Sequence, residues 1–138
     1  MKHNVALKIA SLLSILLCTI HLADDIVRGM EPGTLTNLMA VPTFVLWMYG
    51  ALVLAGRRSG YIITLLGGLF ALVVPLAHMR GHGVGVTSKL ANSSGHFFFV
   101  WTLIAIGVTG LLSVILSARG LWSLRRSTAR TPRNEDEH

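Results

Sequence analysis

The sequence has little charge, few acidic residues and almost no cysteine. Only 13% of its 138 residues are Asp, Glu, Lys or Arg, whereas about 25% is typical of a soluble domain. Together with a mean hydropathy of +0.63, this scarcity places the chain outside the ordinary soluble class. The chain has a single cysteine, Cys18, so an intramolecular disulfide is impossible and cysteine usage does not indicate the redox compartment.

Basic residues outnumber acidic ones. Twelve Lys and Arg against six Asp and Glu give a formal charge of +6. The basic residues flank apolar segments, an arrangement that favours contact with the anionic headgroups of a lipid bilayer. We therefore expect no nucleic-acid partner.

Four apolar segments are long enough to cross a bilayer, whose hydrocarbon core needs about 20 helical residues. They cover about residues 5–23, 35–55, 60–78 and 96–116. The connections are short, so consecutive segments should be antiparallel neighbours. The sequence predicts an all-α fold in one domain, residues 1–122: an integral membrane protein with an antiparallel four-helix transmembrane bundle and short loops.

The two ends of the chain carry separate expectations. Lys2 and Lys8 before an apolar run imitate a secretion signal, but the small-residue cleavage pattern is missing. The first segment is therefore expected to be retained as a span, with its helix continuing toward Gly29. Residues 123–138 are basic and polar, which predicts a disordered cytoplasmic tail.

The distribution of basic residues predicts the orientation. With the N-terminus inside, nine of the twelve Lys and Arg lie on the inner side and three, Arg28, Arg80 and Lys89, on the outer side. Both termini are therefore expected in the cytoplasm. We expect the chain to lie in a bacterial inner (plasma) membrane.

Small residues and prolines suggest how the spans pack. Gly60, Thr64 and Gly68 recur every four residues, a pattern that lets transmembrane helices approach closely. A similar stripe of Gly107, Gly110, Ser113 and Ser117 marks the fourth span. Pro42 and Pro75 each remove a backbone donor and are expected to bend their helices.

Histidine and aspartate residues gather at one end of the predicted bundle. In the predicted topology, the extracytoplasmic end is where the first and third spans end and the fourth begins. Four of the six histidines and two aspartates lie there: His21, Asp24, Asp25, His78, His82 and His96.

The spacing in the first span places several of these residues on one helical face. His21, Asp24 and Asp25 stand at i, i+3 and i+4. A polar stripe continues this face back along the span: Lys8, Ser11, Ser14, Cys18, His21 and Asp25. Lipid disfavours such a stripe, so it is expected to face the bundle interior or a water-filled cavity.

Imidazoles and carboxylates are the ligands of zinc, iron and copper. We expect His21, His78 and His96 as ligands, with Asp24 or Asp25 as a fourth ligand or as a group that orients an imidazole. A single haem held by imidazoles on facing helices is a second option. His82 is the weakest candidate, because it lies in a glycine-rich loop.

Other interpretations stay open. The histidines at the helix ends are also explained as headgroup-region side chains, with Asp24 and Arg28 paired four residues apart. The polar stripe would equally suit a transporter or channel subunit, which would be a homo-oligomer. The small-residue stripes would suit a structural or assembly subunit bound to a larger membrane-protein partner. The residues do not decide whether the chain is an enzyme, and no motif resembles a known family.

Overall fold

The computed structural model describes residues 2–80 and 95–129, and every regular element in these ranges is helical. The elements are α1 (Lys2–Val27), a 3₁₀ helix (Leu35–Met39) that leads directly into α2 (Ala40–Leu52), α3 (Arg58–Arg80) and α4 (His96–Ala129). The described part thus holds four helices long and apolar enough to cross a membrane, counting the 3₁₀ helix with α2. The all-α prediction is confirmed for these residues.

The helices pack as a ring in chain order. Each helix contacts the next, α4 closes the ring against α1, and the largest interfaces are those of α4 with α3 and α1. Ser11 of α1 lies 2.9 Å from Ser113, in the middle of α4, while His21, later in α1, lies 3.1 Å from Thr102, near the start of α4. Helices α1 and α4 therefore run antiparallel.

Helix α1 ends with a glycine turn. Its last residue is Val27, and Gly29 has a φ of +68°. This left-handed conformation is the one that glycine adopts without steric cost after a helix C-terminus. The expected continuation of the first helix toward Gly29 is confirmed.

Helices α2 and α4 differ in length from the sequence prediction. Helix α2 stops at Leu52, short of the expected residue 55. Helix α4 continues to Ala129, so the expectation of disorder is wrong for residues 123–129, and residues 130–138 lie outside the described part. Arg126 stacks 4.5 Å above the Trp122 ring one turn earlier, a contact that stabilises this extension.

The α3–α4 interface is built from small residues, as their spacing predicts. A Cβ added at Gly68 would lie 2.9 Å from the backbone oxygen of Gly110, so the two backbones touch. Close approach also brings the Thr64 and Ser117 hydroxyl oxygens to 2.8 Å. These contacts fix the position of α3 along α4, and with it the position of the C-terminal end of α3 in the bundle.

The two prolines occupy different positions in their helices. Pro42 is the third residue of α2, where a missing N–H is tolerated, so the reason to expect a bend there is weak. Pro75 lies inside α3, which nevertheless continues to Arg80. His78 therefore stands on a helix, one turn after Val74.

Replacing Gly110 with leucine is expected to destabilise the bundle by about 1–3 kcal/mol, the usual range for overpacking. The physical reason is that even a methyl group at this position would lie 2.8 Å from the Ala71 Cβ. The measurement is the free energy of unfolding in mixed micelles titrated with a denaturing detergent. The matched control is Ala118→Leu, which adds the same kind of side chain at an exposed position of α4. Equal stability of the two variants would contradict the proposed tight interface.

Candidate metal centre

The C-terminal end of α1 buries a histidine and an aspartate four residues apart. His21 is 2% exposed and Asp25 is 4% exposed, so both face the bundle interior. Earlier members of the same stripe, Ser11, Ser14 and Cys18, are also buried. The expectation that the stripe faces inward is confirmed for these five residues.

A second histidine reaches the same point from α3. The His78 Nε2 atom lies 3.4 Å from Asp25 Oδ2, and the His21 Nε2 atom lies 3.7 Å from the same oxygen. Ligand atoms of the three side chains all lie within 4.8 Å of one another. We call His21, Asp25 and His78 the triad.

The hydrogen bonds of His21 determine which of its ring nitrogens carries the proton. The Thr102 hydroxyl donates to the Phe99 carbonyl at 2.9 Å. Its oxygen is therefore the acceptor in the 3.1 Å contact with His21 Nδ1, and Nδ1 is the donor. Neutral His21 then presents the lone pair of Nε2 to Asp25.

His78 is held in the same tautomer by its own helix. Its Nδ1 lies 2.8 Å from the Val74 carbonyl oxygen, which can only accept a hydrogen bond. Neutral His78 therefore also turns an Nε2 lone pair toward Asp25 Oδ2. This is the usual arrangement of metal-bound histidines, in which the second ring nitrogen donates to a carbonyl or carboxylate.

In the triad, the Nε2 atoms of neutral His21 and His78 and the carboxylate of Asp25 thus face one another at one buried point. Within the described residues, His21 Nε2 and Asp25 Oδ1 are buried and make no hydrogen bond. Leaving buried polar groups unpaired costs free energy, and more so for a charged carboxylate. A cation located between the three side chains, either a metal ion or a proton, would remove this cost.

The distances from Asp25 to the two imidazoles are close to those of a tetrahedral metal site. A tetrahedral zinc ion with bonds of about 2.1 Å holds neighbouring ligand atoms about 3.4 Å apart. The distances from Asp25 Oδ2 to the two imidazoles, 3.4 and 3.7 Å, are within a few tenths of that value. The ligand atoms of the two imidazoles lie within 4.8 Å of each other, and metal binding would draw them to the tetrahedral spacing.

The packing around the imidazoles does not fit a haem held between them. The His21 and His78 rings contact each other edge to face, with centroids 4.9 Å apart. Phe99 packs on both, at 4.9 and 5.7 Å. No slot for a planar macrocycle lies between the two rings, so of the two expected cofactors the geometry fits the metal ion.

The other predicted site residues have different placements. Asp24 accepts a hydrogen bond from Arg28 Nε at 2.7 Å, as the four-residue spacing suggested, and it does not join the triad. This bond raises the pKa of the Arg28 guanidinium above its ordinary value, because the charged form is the donor. His96 is the first residue of α4, but its side chain lies outside the described part, as does all of His82.

A cavity of about 400 Å³ adjoins the triad. Its walls come from the last two turns of α1, the 3₁₀ helix, the first turns of α2 and the C-terminal half of α3. All three members of the triad line it. A metal held by the triad would therefore have a coordination position open to this cavity.

Sequence reasoning missed two residues that shape the site, Thr102 and Phe99. Both lie on the first turns of α4, and both are buried. One signal for Thr102 was available, because it is the first hydroxyl residue in the apolar run after His96. Nothing in the spacing of Phe99 distinguishes it from the two phenylalanines that precede it.

Comparisons of the chain with protein-family models, curated proteins and solved structures found no match. The triad and its surroundings are therefore the features that point to a function.

The position of the proton on the neutral His21 ring tests this geometry directly. At pH 8, above the ordinary imidazole pKa of about 6.5, we expect neutral His21 to carry its proton on Nδ1, because the Thr102 oxygen accepts it. The measurement is ¹⁵N NMR of histidine-labelled protein without added metal. Thr102→Val should weaken this preference, whereas Thr109→Val should leave it intact, since Thr109 donates only within α4. A proton on Nε2 in the parent protein would contradict the proposed tautomer.

Proposed function

We propose that this chain is an integral membrane protein that binds a transition-metal ion through His21, Asp25 and His78 at its extracytoplasmic end. The observation that carries the proposal is the convergence of two imidazole Nε2 atoms and one carboxylate at a single buried point. Both imidazoles are oriented through Nδ1, as ligands of a metal commonly are.

Membrane insertion is supported by the distribution of polar and apolar side chains. Buried positions include hydroxyl, imidazole and carboxylate groups, while large aliphatic side chains cover the outside of all four helices. A water-soluble bundle has the opposite pattern. Four helices meet the length and apolarity of membrane spans. We propose a single transmembrane domain, residues 1–122, that contacts lipid directly.

The orientation proposal follows from the basic residues. Nine of twelve Lys and Arg lie on the side of the chain termini and the α2–α3 connection. The termini and residues 123–138 would then be cytoplasmic in a bacterial inner membrane. The triad lies near the C-terminal ends of α1 and α3, at the other end of the bundle. It would then lie near the extracytoplasmic surface of the membrane.

Two imidazoles and one carboxylate favour particular metals. This donor set is that of non-haem iron(II) sites with open positions, and it also suits catalytic zinc. The protein would orient the two imidazoles, exclude bulk water from the ion and leave a coordination position facing the cavity. Such an ion acts as a Lewis acid or lowers the pKa of a bound water. His96 and His82 stay candidates for additional ligands.

A second candidate function is proton or ion handling. A proton shared among the three side chains would also relieve the repulsion at the triad, and the buried stripe of Ser11, Ser14 and Cys18 extends from it along α1. This alternative predicts ion flux in proteoliposomes that is lost in the His21→Ala and Asp25→Asn variants. Flux indifferent to both substitutions would eliminate it.

Replacing His21 and His78 together with alanine should abolish metal binding, because only one carboxylate of the triad would remain. The measurement is the content of iron, zinc, copper and manganese in protein purified in mild detergent without a metal-binding affinity tag. Ser14→Ala, which removes a buried polar group of the same stripe, is the control and should keep its metal. Retention of stoichiometric metal by the double variant would reject the triad as the site.

Thr102, the hydrogen-bond partner of His21, should also influence the affinity of the site for metal. Thr102→Val keeps the side-chain shape but removes the oxygen that accepts from His21 Nδ1, and loss of such an orienting partner typically costs about 10–100-fold in metal affinity. Competition with a chromogenic chelator measures this loss. Thr109→Val, an equivalent change on the same helix, should have little effect. Equal affinities of the two variants would show that Thr102 plays no part in metal binding.

A further inference from the structure

We infer that the cavity beside the triad is a binding pocket for a neutral amphiphile, an apolar molecule with a hydroxyl group at one end that ligates the metal. The hydroxyl–metal contact depends on the proposed metal centre, while occupancy of the cavity by the apolar part does not.

The first support is the distribution of polar groups along the cavity. Apart from the triad, the walls carry mainly apolar side chains, among them Leu22, Phe44, Phe70 and Val74, together with the polar residues Glu31, Thr36, Asn37 and Thr43. A volume of about 400 Å³ lies in the range of small-molecule pockets. An occupant that fits these walls is mainly apolar and carries a polar group, which we place at the triad.

The second support is electrostatic. Two carboxylates, Asp25 and Glu31, line the cavity, and among the described residues that line it there is no Lys or Arg. A divalent ion held by neutral imidazoles balances these two negative charges, which leaves no net charge for an ionic ligand to neutralise. Without metal, the carboxylates repel an anionic headgroup. A neutral oxygen donor is therefore favoured over a fatty acid.

The third support is the path of entry. The 3₁₀ helix, Leu35–Met39, contributes no buried residue, although it forms one wall of the cavity. Met39 lines the cavity and is still 67% exposed. The cavity therefore opens at this helix onto the apolar outer surface, where the proposed bilayer would supply an amphiphile.

Cys18 provides a built-in reporter of occupancy. It lines the cavity, and it is the only cysteine in the sequence. An apolar thiol reagent such as N-ethylmaleimide must enter the cavity to alkylate it. A bound ligand should slow this reaction in proportion to occupancy, by about tenfold at ten times its dissociation constant.

The experiment uses the full chain in phosphatidylcholine nanodiscs. The rate of Cys18 alkylation in metal-free protein is measured with 1-octanol, octane, octanoate or octyltrimethylammonium at equal membrane concentration. The same additions are then made to protein loaded with Co²⁺, whose visible absorption bands respond to a new oxygen ligand. We expect 1-octanol to protect Cys18 most strongly and to be the additive that shifts the Co²⁺ bands.

The outcomes distinguish the proposed pocket from the proposed metal centre. Protection by 1-octanol without any Co²⁺ spectrum would support the pocket and reject the metal centre. A Co²⁺ spectrum with no protection by 1-octanol would support the metal centre and overturn the pocket. Stronger protection by octanoate or octyltrimethylammonium would overturn the preference for a neutral ligand. Resistance of Cys18 to alkylation even at pH 10, where more thiolate forms, together with 1-octanol retention no greater than that of the Ala40→Trp variant, would also overturn the pocket.

A pair of tryptophan substitutions on α2 provides the matched control. Ala40→Trp places an indole in the cavity wall and should abolish both the alkylation of Cys18 and the effect of 1-octanol. Val45→Trp adds an indole on the exposed face of the same helix and should leave both unchanged. Similar behaviour of the two variants would contradict entry through the cavity.

Discussion

Two imidazole Nε2 atoms and one carboxylate face one another at one point inside a bundle whose surroundings are otherwise apolar. This arrangement is unfavourable without a cation, and the neighbouring side chains preserve it. Thr102 and the Val74 carbonyl fix both imidazoles by accepting from Nδ1, and Phe99 packs against both rings. Because each of these groups comes from a different turn of α3 or α4, the site depends on the register of the whole bundle.

That register follows from features that are visible in the sequence. The small residues of the third and fourth spans predicted a close α3–α4 contact, and the polar stripe of the first span predicted which face of α1 turns inward. Together they bring His78 beside Asp25, 53 positions away in the chain. The four helices and the membership of His21, Asp25 and His78 in one cluster could thus be anticipated from periodicity and topology alone.

Other details depend on tertiary contacts that no spacing reveals. Either Asp24 or Asp25 could have served the metal site, and the rotation of α1 turns Asp25 toward His78 while Asp24 accepts from Arg28. The role of Thr102 depends on the depth at which α4 crosses α1. Helix α4 is longer than its apolar run predicts, because stacking of Arg126 on Trp122 stabilises the helix beyond the span. Charged residues beyond a span are compatible with a continuing helix.

The central claim is that the triad itself ligates a metal ion, and X-ray absorption spectroscopy of protein loaded with Zn²⁺ tests it most directly. The account predicts a first shell of nitrogen and oxygen atoms at about 2.0–2.1 Å, with outer-shell scattering from two imidazole rings. This imidazole scattering should disappear in the His21→Ala, His78→Ala double variant. Failure to retain stoichiometric zinc, or a shell without imidazole scattering, would contradict the account.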